Sequence, residues 1–509
     1  MLQLADLIVL TVYMGAVVAF GCWFVRRNQS SAAFMVAQGA LPAWAVGLSI
    51  FGTFLSSNTF LGVPGRAYAG NYNAFVFSLS LPVAAYLATR FFVPFYRNTG
   101  SVSAYQHLEQ RFGVWARMYA VVCYLLTQIA RMGTIMVGVS LVLHALTGWD
   151  PKTIILVAGI LITVYTLLGG MEAVIWTDVV QSIVLMVGAV ALLVMLLWDM
   201  SGGPAQTIEM AAAENKFSLG SWQPDLTSKT VWVVFLFGVF INLGNFGIDQ
   251  SFVQRYHTAD SDAAAGRAVW LGAILYVPIS LLFFFIGTAA YTYYQTHPEL
   301  LEQVRSAAVA TGELDASATI QHPKLADKIL PHFIATKLPF GMAGLLIAAI
   351  AAAAMSSIDT SLNSSATILL EDIYKRWRGG AAGVGESESM WVLRVATVAV
   401  GIIGTVIAVQ MVGVHSILDA WWQLQGVFAG GILGLFLLGM LSRSASGGVA
   451  AVAVAAGILV IGWISMPADS QWFPDQYRSA LEPTLAIVAG TTTIFGVGLL
   501  LSAAKRQFS

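Results

Sequence analysis

Apolar residues fall in long runs separated by short polar stretches, and the length of those runs decides the fold class. A helix needs about 20 mostly apolar residues to cross a bilayer, because nothing in the hydrocarbon satisfies a bare backbone. Thirteen runs qualify: roughly 5–26, 41–63, 73–96, 116–147, 153–170, 174–200, 229–253, 267–295, 338–372, 389–412, 415–442, 446–466 and 482–504. The chain is expected to be an all-α polytopic membrane protein, with 1–509 as one membrane domain. The first run has Asp6 as its only early charge, no basic lead-in, and Arg26-Arg27 behind it. That pattern predicts a retained helix rather than a cleaved signal peptide.

Composition agrees with the pattern. Of 509 residues, 58% are hydrophobic and 10% charged, against about 25% charged in an ordinary soluble domain. Mean hydropathy is +0.76. This excludes a soluble enzyme, a nucleic-acid binder and a disordered scaffold. A net charge of −1 gives no attraction for a polyanionic partner. The two cysteines, Cys22 and Cys123, lie in apolar runs and support neither a disulfide framework nor a zinc site. Phosphate-loop, HExxH and CxxC patterns are absent, which argues against an ATP-driven pump and against an enzyme. No protein partner is implied beyond the lipid bilayer and a small solute.

Basic residues in short loops set the orientation. With the N-terminus outside, the cytoplasmic loops hold Arg26, Arg27, Arg97, Arg111, Arg117, Arg255, Arg267, Lys375, Arg376, Arg378, Arg443, Lys505 and Arg506. The short outside loops hold Arg66, Lys152 and Arg478. The longer outside loops, about 201–228 and 296–337, carry mixed charge. The C-terminus is then cytoplasmic and the location a plasma membrane, the inner membrane in a bacterium.

Polar residues inside spans are costly and tend to be functional. In the second span, seven of the twelve residues from Ser49 to Phe60 are Ser, Thr, Asn or Gly. Close helix packing accounts for Ser49 and Gly52. It does not account for Ser56-Ser57-Asn58-Thr59. A helix unwound at mid-membrane does, with freed carbonyls offered to a cation and hydroxyls to a solute. The seventh span is interrupted by Asn242, Gly244, Asn245 and Gly247. The two interruptions lie five spans apart, the spacing of a five-plus-five inverted repeat. The repeats would then cover 41–200 and 229–442, with an extra helix at 5–26 and two further helices at 446–504. In the ninth span Ser356, Asp359 and Thr360 stand at i, i+3 and i+4 on one face, with Ser357 beside them. Such all-oxygen ligands suit a hard cation. Asp178, Arg131 and Asp419 also sit at membrane depth. An arginine there is either paired with a carboxylate or awaits an anionic solute.

The run Tyr165-Thr166-Leu167-Leu168-Gly169-Gly170-Met171-Glu172-Ala173, continued by Trp176-Thr177-Asp178, resembles the signature of the sodium:solute symporter family. So do Asp249-Gln250-Ser251-Phe252-Val253-Gln254-Arg255-Tyr256 and the NSSATILLEDIY stretch of the ninth span. The resemblance runs over essentially the whole chain. It implies a LeuT-type fold with broken helices at spans 2 and 7, alternating access, and Na⁺-driven uptake of a small solute. It implies a shared Na⁺ site from the carbonyls of Gly52, Leu55 and Ala353 and the hydroxyls of Ser356 and Ser357. A second Na⁺ site, from Asp178, Ser356, Asp359 and Thr360, makes the coupling ions one or two. Within the family the chain looks most similar to the sialic-acid symporter branch. That likeness implies Arg131 for a substrate carboxylate, Ser56 and Thr59 as substrate hydroxyls, Ser78 as a further contact and Phe246 as an aromatic cover. Phe54 and Ser78 stand where that branch has a threonine and a glutamine, which makes the pocket less polar. A carboxylate such as sialic acid is the expected solute, with a neutral sugar as the alternative. A channel would show a filter loop, and a sensor would carry a signalling domain after residue 504.

Overall fold

The computed structural model describes residues 4–507 except 27, 57, 311–313, 316, 318, 340, 381–382, 414–416 and 467–474. The side chain of Asp419, like all of Ser57, lies outside the described residues. The principal helices are α1 (Leu4–Trp23), α2 (Ala43–Phe54), α3 (Val63–Ala69), α4 (Tyr72–Thr99), α5 (Val114–Thr147) and α6 (Pro151–Trp198). Then follow α7 (Val231–Ile248), α8 (Gln250–Thr258), α9 (Asp262–Thr296) and α10 (Met342–Ile368). The last are α11 (Glu386–Gln410), α12 (Ile417–Leu441), α13 (Gly447–Ile464) and α14 (Ala486–Gln507).

The span count depends on two chain breaks. The helix pair Ala43–Phe54 and Thr59–Ala69 is bent by 60° and forms one broken span, which brings the spans to twelve. The 48 residues of α6 would reach about 72 Å if straight, more than twice the hydrocarbon thickness of about 30 Å. The helix instead turns at Gly170, where φ is 62° and ψ −171°. Only glycine adopts that backbone without strain, and a Cβ there would also meet the Asn28 side chain at 2.7 Å. Division at Gly170 restores the thirteen runs of the sequence, and explains why the Gly-Gly of the signature falls where it does.

The seventh span breaks later than its polar residues predict. Asn242, Gly244, Asn245 and Gly247 stay helical, and α7 runs to Ile248. The two asparagines bond side chains rather than competing for their own backbone: Asn242 Nδ2 donates to Ser80 Oγ and Asn245 Nδ2 to Asn242 Oδ1. The break is at Asp249, with extended φ −78° and ψ 119°. Its carboxylate accepts from Ser251 N at 2.8 Å and caps α8. A second correction concerns Arg255. Counted above among the loop cations, it lies on α8, fully buried and ion-paired.

Helix α1 is anchored rather than peripheral. Asp6 Oδ1 accepts from Gly341 N and Gly344 N, both at 2.9 Å, at the start of α10. Four aligned N–H groups point out of a helix start, so a carboxylate there is favoured twice, by hydrogen bond and by dipole. The core lies where α2, α3, α6, α9 and α10 cross, and α10 is buried along nearly its whole length.

Candidate functional site

Helix α2 ends at Phe54, and its last turn leaves carbonyls that no continuing helix can use. Two hydroxyls of α10 reach them. Ser356 Oγ donates to the Gly52 carbonyl at 3.2 Å and Ser357 Oγ to the Leu55 carbonyl at 3.3 Å. Ala353 lies one turn before Ser357 on the same helix and is buried with it. Two carbonyls and two hydroxyls are thereby gathered between α2 and α10. Gly52 also lets α6 pack close behind the break: a Cβ there would lie 2.7 Å from Ser182 Oγ. Among the described residues no group of three His, Cys, Asp or Glu converges on a metal position. The donors are hard, neutral oxygens, the set that suits an alkali cation.

Next to this cluster lies a buried charged group. Asp178 Oδ2 accepts from Ser49 Oγ at 2.5 Å and from Arg255 Nη2 at 2.9 Å. The same Nη2 donates to Thr360 Oγ1 at 2.9 Å. Asp178 Oδ1 is buried with no hydrogen-bond partner among the described residues. Asp359, also fully buried, accepts from Thr360 N at 2.6 Å and from the Tyr165 hydroxyl at 2.8 Å. Asp178, Ser356, Asp359 and Thr360 are thus brought into one region, the last three on one face as the spacing predicts and Asp178 beside them as the family resemblance implies. Arg255 and Tyr165 join them, which the spacing does not predict. Of the two carboxylates only Asp178 is ion-paired with the guanidinium, so the three groups carry a formal excess of one negative charge; the orphan Asp178 oxygen is free to meet a cation.

On the far side of the α2 break is a cavity of about 840 Å³, its mouth included. Arg131 lines it, as do Ser56, Thr59 and Ser78. Arg131 Nη2 donates to the Thr53 carbonyl, and Arg131 forms no ion pair with a described residue. It therefore pairs with neither Asp178, which Arg255 takes, nor Asp249, whose oxygens are held by Ser251, Tyr124 and Gln128. Ser78 is turned aside: its Oγ is 2.7 Å from Ser280 Oγ. Phe246 is fully buried behind the wall, packed on Phe54 and Phe252 with ring centroids 5.7 and 5.4 Å away. Phe54 and Phe252 line the cavity in its place.

Three tyrosines close the break of the seventh span. Tyr256 donates to the Phe246 carbonyl at 2.6 Å, Tyr96 to Gly247 at 2.6 Å and Tyr105 to Ile248 at 2.8 Å. Tyr256 belongs to the motif read above. Tyr96 and Tyr105 carry no sequence signal, because a tyrosine near a span end reads as an interfacial anchor.

A broken second span, a hydroxyl-bearing partner helix and a cavity at the break define a sodium-coupled secondary transporter of the LeuT type. Comparison with known proteins bears this out. The sodium:solute symporter family model matches residues 34–457. The chain is 33% identical to the sodium/sialic acid symporter SiaT of Proteus mirabilis, over 94% of this chain and 93% of that protein. It is 31% identical to the sodium/sialic acid symporter NanT of Aliivibrio fischeri, over 96% and 92%. A solved Na⁺-coupled sialic acid symporter, substrate-bound and outward-open, superimposes with a TM-score of 0.86 at 31% identity, covering 99% of this chain and 98% of that one. The chain belongs to the sodium:solute symporter family. It is a multi-pass Na⁺-coupled symporter of a small solute and not an enzyme.

Proposed function

We propose that the protein imports a small carboxylate, of the kind represented by sialic acid, with Na⁺ bound between α2 and α10. Gly52, Leu55, Ala353, Ser356 and Ser357 hold the shared ion. Asp178, Ser356, Asp359 and Thr360 hold a second, which cancels the excess charge beside Arg255. The observation that carries the substrate reading is the Arg131 side chain, which lines the cavity without a carboxylate partner among the described residues. A guanidinium left unpaired at that depth is costly unless an anion completes it. Ser56, Thr59 and Ser78 supply hydroxyls to the same solute, and Phe246 stands behind the first contacts. The repeats 41–200 and 229–442 would rock about this centre, with the N-terminus outside and the C-terminus in the cytoplasm of a plasma or bacterial inner membrane.

The basis of coupling is that sodium bridges α2 to α10 only while the α2 break faces both. Substrate on Arg131 bonds the segment adjoining the same break, through the Thr53 carbonyl. Each ligand therefore stabilises the arrangement the other needs, which is reciprocal coupling. Labelled N-acetylneuraminate uptake into proteoliposomes, with and without an inward Na⁺ gradient, tests the reading. Uptake of a neutral sugar that no acid competes for would overturn it.

A further inference from the structure

The polar groups of the cavity are largely bonded to one another. Gln425 Nε2 donates to Asn245 Oδ1 at 3.0 Å. Thr59 Oγ1 donates to the Phe54 carbonyl at 3.1 Å. Ser78 and Ser280 are 2.7 Å apart. Beside them stands an aromatic wall. The Phe54 ring lies 5.2 Å from Phe252 and 5.4 Å from Tyr276. Phe77 stacks on Trp422 at 5.5 Å and 27°. All five line the cavity.

We propose that this wall is a specificity subsite, and that the solute is a carboxylate with a flat apolar body rather than a polyhydroxylated one. The inference rests on the reading of Arg131 as the carboxylate partner. A sugar acid brings several hydroxyls, and each must find a partner or lose its water without return. Against an aromatic wall, with the neighbouring polar groups already bonded, few partners are offered. A flat ring has the opposite balance: its faces meet ring edges in the offset and edge-on geometries that aromatic pairs favour. Its carboxylate meets the Arg131 fork, whose donors are placed for two parallel hydrogen bonds. Phe54 is central, because it touches Phe246 behind the wall and Phe252 and Tyr276 within it.

The test uses the full chain, purified in nanodiscs with saturating Na⁺, and three probes: phenylacetate, its uncharged isostere phenylacetamide, and N-acetylneuraminate. Phenylacetate should bind about tenfold or more tighter than N-acetylneuraminate, and phenylacetamide much more weakly than phenylacetate. Phe54→Thr should narrow the ratio of phenylacetate to N-acetylneuraminate affinity about tenfold. Trp422→Leu, which keeps an apolar side chain but removes the ring, should narrow it as well and serves if Phe54→Thr does not fold. Tighter binding of N-acetylneuraminate overturns the aromatic subsite and leaves the carboxylate reading intact. Equal binding of phenylacetate and phenylacetamide overturns the carboxylate reading itself. Binding of none of the probes, by protein whose melting temperature still rises with Na⁺, overturns the subsite.

Discussion

Ser357→Ala removes one of the five oxygens of the proposed sodium site and little else. The methyl group keeps the volume of the side chain, and alanine is a better helix former than serine, so α10 should stay intact. Ser357 Oγ is 3.3 Å from the Leu55 carbonyl and Ser356 Oγ 3.2 Å from Gly52. Both distances are at the long end for a hydroxyl donor, so the loss of the hydroxyl bond alone matters little. The loss of an ion ligand matters more. An interaction with a charged group contributes about 1.5–3 kcal/mol, and about 1.4 kcal/mol is tenfold in affinity. The Na⁺ concentration for half-maximal uptake should therefore rise by about tenfold to a hundredfold, with maximal uptake nearly kept when Na⁺ is raised to match. Initial uptake rates in proteoliposomes across a Na⁺ series at constant ionic strength measure this. Ser361→Ala is the control, since Ser361 Oγ bonds Gln128 and not the freed carbonyls. In the double variant with Ser356→Ala, the second substitution should cost less than the first, because neighbouring ligands of one ion do not act independently. An unchanged half-saturating Na⁺ concentration in Ser357→Ala refutes the site.

Arg131→Lys keeps the charge and loses the fork; substrate affinity should fall at least about tenfold, and further in Arg131→Ala, where a lost partner costs about 2–5 kcal/mol. Unchanged affinity in the lysine variant, measured by isothermal titration, would make Arg131 a structural residue. For the second ion, the Hill coefficient for Na⁺ should lie above one in the wild type and fall toward one in Asp359→Ser; a coefficient of one in both leaves a single sodium. Lys216, in the stretch between α6 and α7, donates to the Tyr68 carbonyl at 2.7 Å and lies 3.6 Å over the Tyr291 ring. Burial pushes its ammonium down to about 8, with Glu214 pulling the other way. Between about 8 and the usual lysine value of about 10.4 the unfolded chain holds the proton and the folded chain does not, so stability gained from this group grows as pH rises through that window. Melting temperature relative to Lys216→Met should increase between pH 7.5 and 10; a flat difference refutes the assignment.

The run lengths carried the span count, because hydrocarbon thickness is a one-dimensional constraint that a sequence states directly. Even Gly170, inside a helix of unbroken apolar character, announced itself by its glycine pair. The polar face of α10 was legible for a related reason: Ser356, Asp359 and Thr360 share a face by helical periodicity alone. Arg255 was not legible. Seven residues after the end of α7, it reads as a loop cation, and only the capped restart of the chain at Asp249 carries it back into the bundle beside Asp178. The break at Asp249 was misjudged by the same logic, since asparagines bonded to neighbouring helices do not disturb their own. Phe246 fell one layer behind the cavity, a matter of side-chain direction that spacing along the chain does not encode.

The two broken spans are treated differently by their surroundings. At the seventh, three phenols hold the carbonyls of three consecutive residues at 2.6–2.8 Å. At the second, serine hydroxyls reach two carbonyls at 3.2 and 3.3 Å. One interruption is sealed by covalently tethered groups that are present in every state of the protein. The other is only loosely solvated by the protein, and in the proposed reading a diffusible ion finishes it. The two interruptions would then differ in what they owe to the medium: one is self-sufficient, and the other senses sodium. The sodium gradient would act on transport through that inequality, because only the interruption that depends on the ion changes its energy when the ion leaves on the sodium-poor side.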